Sequence, residues 1–404
     1  MANHTIFCSC TKEVLVCGLN CHGQLGLNDE NDRKEPQYLM QNKDIIQIIC
    51  SDTFTIILKC DGKIVVFGSN RHGQLGLTSR KNICIPTLIV LDKQVTQISC
   101  GNWHTLILTI VGQVFSLGGN SYGQRGLGHN DGKDGKDGKD GNNDQHIMQQ
   151  VATTEKIIRI ACGGFHSIMI TNNYEIMVFG CNDYGQLGLG HYNNEPSPKL
   201  LMKNENITKI VCGWGHTIML NDNGQVYVFG CNKDGILGLN TCQDQNTPQL
   251  LTTILDKKIV QIACAVDSTI FLSDNGELWH IAPFIYKPVL LITDNEIVQI
   301  TCGSDHIAFL KDNGQMFVIG DNEFGQLGLG HRGRHEEPQL LRRNVTMMFN
   351  TVDLLKWMPE HHRYFSAMFR EKIWVFLLVL KRFQRLTKIY VPKFLRFEIV
   401  KKCV

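Results

Sequence analysis

The sequence lacks any stretch that could cross a membrane or direct export. No apolar run reaches the roughly 18 to 20 residues that a transmembrane helix needs, and the longest is Ile373–Leu380. The first residues, MANHTIFCSC, contain no basic segment followed by an apolar one, which is the pattern of a signal peptide. We therefore expect an intracellular protein without a membrane span, located in the cytoplasm or the nucleus.

Catalytic and metal-binding signatures are scarce as well. Neither GxxxxGK[ST] nor HExxH occurs, so the sequence offers no phosphate-binding loop and no zinc-protease helix. The 16 cysteines are expected to be reduced, because no signal peptide takes the chain to an oxidising compartment. Cys8 and Cys10 are separated by a single residue, which is too short a spacing for a typical zinc site. We predict no enzyme activity, no cofactor and no metal.

Charge is distributed unevenly along the chain. Residues 1–341 carry 26 basic and 34 acidic side chains, whereas residues 342–404 carry 14 and 4. The formal net charge of +2 therefore hides an acidic body and a strongly basic end. Two different interaction surfaces are expected.

A glycine-rich block recurs through the acidic part of the chain. It reads GLNCHGQLGL at its first occurrence, and its copies begin at Gly18, Gly68, Gly118, Gly180, Gly230 and Gly320. Three of the steps between copies are 50 residues long. The third step contains an additional segment, residues 132–143, GKDGKDGKDGNN, which predicts a charged surface loop. The longest step predicts a repeat that has lost its glycine corner near Leu278–Pro288.

Two β-rich blocks separate successive corners. One reads IVQITCG at Ile297, and the other follows it, as in HTLIL at His104. Turns of the Asp-Asn-Gly type come next, and β-branched residues around such turns are typical of hairpins. Sheets of about four strands at this period predict an all-β, seven-bladed β-propeller over residues 1–352. A strand near Val345–Val352 would complete the blade that begins at Asn3, so both termini would close the ring.

These elements resemble the repeats of the regulator of chromosome condensation type of seven-bladed propeller, which carry GxNxxGQLGxG and CGxxHT motifs. The resemblance covers residues 2–352. It implies that the corner glycines are structural, because glycine adopts a positive φ and lets neighbouring blades approach closely. The predicted corner residues are Gly23, Gly26, Gly73, Gly76, Gly123, Gly126, Gly185, Gly188, Gly235, Gly238, Gly325 and Gly328.

Histidine recurs at one position of the repeat, which could suggest a metal site or a nucleophile. A buried, hydrogen-bonded structural role is favoured, because an active site is needed once and not in every repeat. Phe54 and Ser268 replace the histidine in two repeats and support this interpretation. The recurring histidines are His4, His104, His166, His216 and His306.

The resemblance also implies two kinds of function. The founding member of the family exchanges guanine nucleotide on a small GTPase, whereas many relatives are binding platforms or parts of ubiquitin ligases. This chain has no basic amino-terminal tail, its propeller is acidic, and no nucleotide-exchanging wedge can be matched residue by residue. We therefore predict a monomeric, non-enzymatic protein-interaction scaffold. A guanine-nucleotide exchange factor and a substrate-recognition subunit of a ubiquitin ligase are the alternatives, with a small GTPase or a ligase component as partner.

The repeat ends before a basic module, residues 353–404. Phe369, Ile373 and Phe376 recur at helical steps, and Pro392 begins a second segment, which together predict two short helices. The module and the GKD run resemble segments of giant DNA virus proteins, which would place the protein in a host cell or a virion. Nucleic acid is a less favoured ligand here, because basic residues also form docks for acidic proteins. The basic residues expected to bind a partner are Lys372, Lys381, Arg382, Arg385, Lys388, Lys393 and Arg396.

Overall fold

The computed structural model of the chain describes residues 2–9, 13–41, 44–131, 147–266, 268–341 and 345–349. These residues form seven antiparallel sheets of four strands each. Two short 3-10 turns, Lys233–Gly235 and Thr252–Ile254, are the helical elements within the described ranges. The prediction of an all-β, seven-bladed propeller is therefore confirmed.

The blades follow one another along the chain. Blade I contains β1 (His4–Ser9), β2 (Glu13–Gly18) and β3 (Arg33–Gln41). Blade II contains β4 (Ile45–Cys50), β5 (Phe54–Lys59), β6 (Ile64–Gly68) and β7 (Ile83–Ile89). Blade III contains β8 (Val95–Cys100), β9 (His104–Thr109), β10 (Val114–Gly118) and β11 (Gln149–Gln150). Blade IV contains β12 (Ile157–Cys162), β13 (His166–Thr171), β14 (Glu175–Gly180) and β15 (Glu195–Lys203).

The second half of the ring repeats this order. Blade V contains β16 (Ile207–Cys212), β17 (His216–Asn221), β18 (Val226–Gly230) and β19 (Gln245–Leu250). Blade VI contains β20 (Ile259–Cys264), β21 (Thr269–Ser273), β22 (Glu277–Ile281) and β23 (Val289–Thr293). Blade VII contains β24 (Ile297–Cys302), β25 (His306–Lys311), β26 (Met316–Gly320) and β27 (His335–Leu341). The last described strand, β28 (Val345–Phe349), lies in blade I.

The ring is closed by strands from both ends of the chain. β28 pairs antiparallel with β1, with Phe7 opposite Met348, and becomes the first strand of blade I. The first strands of consecutive blades also contact one another all the way round, from β4 through β24 to β28 and back to β4. The predicted closing strand is therefore confirmed.

The hydrophobic core lies between adjacent blades. Each sheet packs against a neighbour on both of its faces, so its middle strands are apolar at almost every position instead of alternating. β6, IVVFG, is buried along its whole length, and Phe67, Phe179 and Phe229 near the ends of the third strands are fully buried. Each blade is therefore stabilised mainly by its two neighbours.

Blade VI lacks the glycine corner, as the repeat spacing predicts. β22 and β23 are joined by residues 282–288, half the length of segment 69–82 that joins β6 to β7. The predicted loop insertion, 132–143, and the predicted helical module, 353–404, lie outside the described residues. Within the described ranges, no helix has the length and hydropathy required to cross a membrane.

Candidate functional site

The two faces of the ring carry different connections. Neighbouring strands are antiparallel, so the first and third strands of a blade run in the same direction. The loops between first and second strands, here called inner loops, and the glycine corners between third and fourth strands therefore open on one side, the corner face. The turns between second and third strands open on the opposite side, the turn face.

The corners are held by buried amide side chains. In blade II, Asn70 is fully buried; its Oδ1 accepts from the N–H of Leu75 at 2.9 Å, and its Nδ2 donates to the carbonyl of Leu77 at 2.9 Å. Gln74 Oε1 accepts from the N–H of His72 at 2.9 Å. The asparagine that accepts the equivalent bond in the other corners is Asn20, Asn120, Asn182, Asn232 or Asn322. These polar groups are therefore occupied in maintaining the corner conformation.

The corner glycines lie where neighbouring blades approach closely. All twelve have a positive φ. A Cβ atom on Gly185 would lie 2.5 Å from Cα of Asn246 in the outer strand of the next blade, and one on Gly188 would lie 2.9 Å from the ring of Phe229. In the corner of blade IV the first glycine thus approaches the outer strand of the next blade, and the second approaches the third strand of that neighbouring blade.

The recurring histidines connect one blade to the next. His166 Nε2 lies 2.9 Å from Thr217 Oγ1, and that hydroxyl donates to the carbonyl of Gln186 at 2.9 Å. Because the hydroxyl proton is used on the carbonyl, the imidazole donates through its Nε2–H. The corresponding side-chain pairs elsewhere are His4–Thr55, His104–Ser167, His306–Thr5 and, with a longer separation, His216–Thr269. The predicted buried, hydrogen-bonded role of these histidines is confirmed.

Burial keeps these imidazoles neutral. It lowers the pKa of His4, His104 and His166 to about 3 and that of His216 and His306 to about 4. A general base that works near neutral pH needs a pKa close to that pH and access to a substrate. These histidines have neither property, so they support a structural interpretation.

Four of the five inter-blade histidines, His104, His166, His216 and His306, are matched by a glycine three residues earlier, whereas Met1 stands at that spacing before His4. A Cβ atom on Gly101 would lie 2.2 Å from Cε1 of His104, so the imidazole occupies the space that a side chain would need. Blades II and VI have a larger residue at this position, Ser51 and Ala265, and neither keeps the histidine. In blades II and VI the glycine and the histidine are therefore absent together, whereas blade I keeps His4 without the glycine.

An arc of aromatic side chains lies on the corner face and is not explained by the repeat architecture. Its rings contact one another in sequence: His72 stacks on Trp103 with centroids 4.6 Å apart, Trp103 meets Phe165 at 4.8 Å, and Phe165 meets Trp214 at 6.0 Å. Tyr122 and Tyr184 flank the arc from the corners of blades III and IV. Trp103 is 38% exposed.

The aromatic arc is absent from the sequence-based predictions. A usable signal was present, because the residue just before the recurring histidine differs from repeat to repeat, as in Trp103, Phe165, Gly215 and Asp305. Core packing therefore does not require one residue type at this position. The contacts between blades that join these residues into one surface depend on the folded ring.

The segment Gly119–Gly123 reads GNSYG and matches the GxSxG spacing of a hydrolase nucleophile. It lies in the corner of blade III, between two strands, and not between a strand and a helix as the hydrolase motif requires. Asn120 within it is fully buried and accepts from the N–H of Arg125 at 3.0 Å. The motif is therefore part of a structural corner.

Metal and cysteine chemistry have little support in the described part of the chain. No group of His, Cys, Asp and Glu residues there has a geometry that could hold a metal ion. The cysteines in the described ranges are not joined in disulfides, and burial raises the pKa of Cys50 to about 12. The seven basic residues of the predicted carboxy-terminal binding surface lie outside the described residues.

Comparison with known proteins agrees with this architecture. The profile of the RCC1-like domain matches residues 2–281, and that of the regulator of chromosome condensation (RCC1) repeat matches residues 297–326 and 313–350. The human X-linked retinitis pigmentosa GTPase regulator is 42% identical over 50 residues, which are 12% of this chain and 5% of that protein. The chain thus matches only a small part of that relative.

Solved structures show the same fold over most of the chain. Human WBSCR16 has a TM-score of 0.71 at 25% identity, covering 83% of this chain and 94% of that one. Yeast RCC1 (Prp20) bound to Kap60 has a TM-score of 0.70 at 18% identity, covering 85% of each chain. Prp20p from Saccharomyces cerevisiae also has a TM-score of 0.70 at 18% identity, covering 84% of this chain and 88% of that one. Since the domain profile matches more than half of its residues, the chain belongs to the RCC1-like domain family.

Proposed function

We propose that this protein is a non-enzymatic protein-interaction scaffold that binds a protein partner on its corner face. The aromatic arc carries the proposal. Its rings form a continuous surface across four blades. The inner-loop positions that supply these rings differ from repeat to repeat, whereas the histidine position beside them is occupied by the same residue in most repeats. Aromatic side chains are enriched in protein interfaces, because they bury a large area at a low cost in conformational entropy.

Two further observations support a binding function. The recurring histidines make inter-blade hydrogen bonds and the corner asparagines make corner hydrogen bonds, which supports a structural role for both. Prp20p, which shares the fold, is known for its binding properties toward Gsp1p and histones. This precedent supports a protein partner rather than a small-molecule substrate.

The test compares partners captured by three forms of the full-length protein. Trp103→Ser combined with Trp214→Ser removes two rings of the arc, whereas Val111→Ser removes an exposed apolar side chain from the turn face. We expect the parent and Val111→Ser to capture the same proteins and the double variant to lose them. Equal capture by all three forms would refute the assignment of the corner face.

A guanine-nucleotide exchange factor is the second candidate. The matched segment of a human GTPase regulator and the likeness to Prp20p favour it. Release of a fluorescent guanine nucleotide from a panel of small GTPases separates the two candidates. A scaffold leaves the release rate unchanged at equimolar protein, whereas an exchange factor accelerates release from at least one GTPase.

A further inference from the structure

Carboxylates lie beside the aromatic arc on the corner face. The inner loops of blades II and VII contribute Asp52 and Asp305, and the corner of blade VII contributes Asp321. Burial raises the pKa of Asp305, and the negative charges of Asp321 and Asp52 raise it further. The first strands of blades VII, I and II contact one another in succession, so these inner loops open on the corner face of adjoining blades. We call the three carboxylates the acidic sector.

The acidic sector is not neutralised by the propeller itself. Across the ranges that the structure describes, none of its three carboxylates forms an ion pair. Arg334 lowers the pKa of Asp305, but its Nε lies 2.7 Å from Glu336. Asp321 accepts a hydrogen bond from Gln326 Nε2 at 2.7 Å, and this donor is an uncharged amide. The negative charge of the sector therefore remains available to a bound cation.

The aromatic arc begins where the acidic sector ends. The inner loop of blade II, with Asp52, adjoins that of blade III, with Trp103, because the first strands of these blades are neighbours in the ring. His72 of the blade II corner stacks on Trp103. The arc then continues to Trp214 in blade V. A peptide segment bound across the corner face, from blade VII toward blade V, would contact the carboxylates of the acidic sector first and the aromatic side chains of the arc next.

We propose that the corner face binds an arginine-containing basic peptide segment, with guanidinium groups stacked on the aromatic arc and paired with the acidic sector. The inference rests on the proposed function of this face in binding a protein. A guanidinium is planar, stacks on aromatic rings and donates hydrogen bonds to a carboxylate in pairs, so one residue type satisfies both surfaces. The acidic sector and the acidic excess of residues 1–341 repel acidic peptides and nucleic acids.

Fluorescence anisotropy with the full-length protein tests the inference. The probes are labelled peptides of repeated Arg-Gly-Ser, Lys-Gly-Ser or Glu-Gly-Ser units and a labelled single-stranded DNA oligonucleotide. We expect the arginine peptide to bind about three- to tenfold more tightly than the lysine peptide. The glutamate peptide should not bind.

Variants separate ring stacking from simple hydrophobic contact. Trp214→Leu keeps apolar area but removes the ring face, and should weaken binding of the arginine peptide about tenfold, whereas Trp214→Phe should retain it. Asp305→Asn should weaken binding several-fold and reduce its salt dependence. Val111→Ser on the turn face is the matched control and should bind like the parent. Thermal melting of each variant verifies that the fold is intact.

Several results would overturn the inference. Equal binding of the arginine and lysine peptides with no effect of Trp214→Leu is one, and tighter binding of the glutamate peptide or of single-stranded DNA is another. If no peptide binds but the double tryptophan variant still loses its captured protein, the proposed function stands and this inference fails. If that protein is also retained, both fail.

Discussion

Glycine and histidine in the inner loops act as a matched pair of residues. The imidazole of His104 lies against Gly101, and blade II shows the alternative pair, Ser51 with Phe54. The histidine supplies a buried inter-blade hydrogen bond, and the glycine supplies the space for its ring. Neither residue is therefore expected to tolerate substitution alone.

A double-mutant cycle tests this pairing. His104→Phe removes one buried hydrogen bond and should cost about 1 to 2 kcal/mol, while Gly101→Ser creates a steric clash and should cost about 2 kcal/mol or more. The double variant copies blade II and should be more stable than the sum of the two changes predicts, by at least about 1 kcal/mol. Urea unfolding measures all three variants. Simple additivity would contradict the pairing.

The corner glycines should differ in their tolerance of alanine. Gly76 and Gly185 both have a positive φ, so either substitution introduces backbone strain of about 1 kcal/mol. A Cβ atom on Gly76 meets only the flexible side chain of Leu117 at 3.5 Å, whereas one on Gly185 meets the main chain of Asn246 at 2.5 Å. We expect Gly185→Ala to be clearly the more destabilising change in urea unfolding. Equal costs would show that φ strain alone decides.

Among the strands, β28 is the one that closes the ring. β28 covers the edge of β1 and contacts the first strands of blades VII and II. Ending the chain after Leu341 leaves β1 as an unpaired edge in the middle of the ring, so the protein should aggregate or lose about 10 °C or more in melting temperature. Ending it after Asp353 keeps β28 and is the matched control. Similar melting of both truncations would show that closure contributes little.

For the whole molecule, the ring of buried histidines predicts acid sensitivity. Their folded pKa values of about 3 to 4 lie below the ordinary value of 6.5, so the unfolded state binds more protons. The stability that the neutral histidines contribute is therefore fully present above pH 6.5 and is lost as the pH falls toward 4. Each of these histidines adds to the fall in stability in this window.

Urea midpoints measured across this pH window test that prediction. The midpoint should fall steeply below pH 6.5, and His104→Phe should make the fall shallower because one titrating group is gone. The pKa values of carboxylates such as Asp29 and Asp294 are lowered from the ordinary value of 3.8, so these groups titrate below this pH window. An unchanged midpoint across the window would contradict neutral burial of the histidines.

The sequence by itself determined the number of blades, the corner positions and the closing strand. These features repeat at a fixed period, because every blade must bury the same surfaces. The structural roles of residues such as Gly185 and His166 can therefore be inferred from their recurrence in the sequence. The loss of the corner in blade VI was visible for the same reason. Even the matched loss of glycine and histidine at Ser51 and Phe54 can be read along the chain.

Only the tertiary structure decided which variable residues share a surface. Trp103, Phe165 and Trp214 are about fifty to sixty residues apart in the chain, and although Trp103 and Phe165 share one repeat position, Trp214 lies one residue away from it. The closed ring brings their inner loops together on the corner face, where the rings contact one another. Side-chain contacts across blades depend on how the sheets pack around the ring, and that geometry is a property of the folded chain.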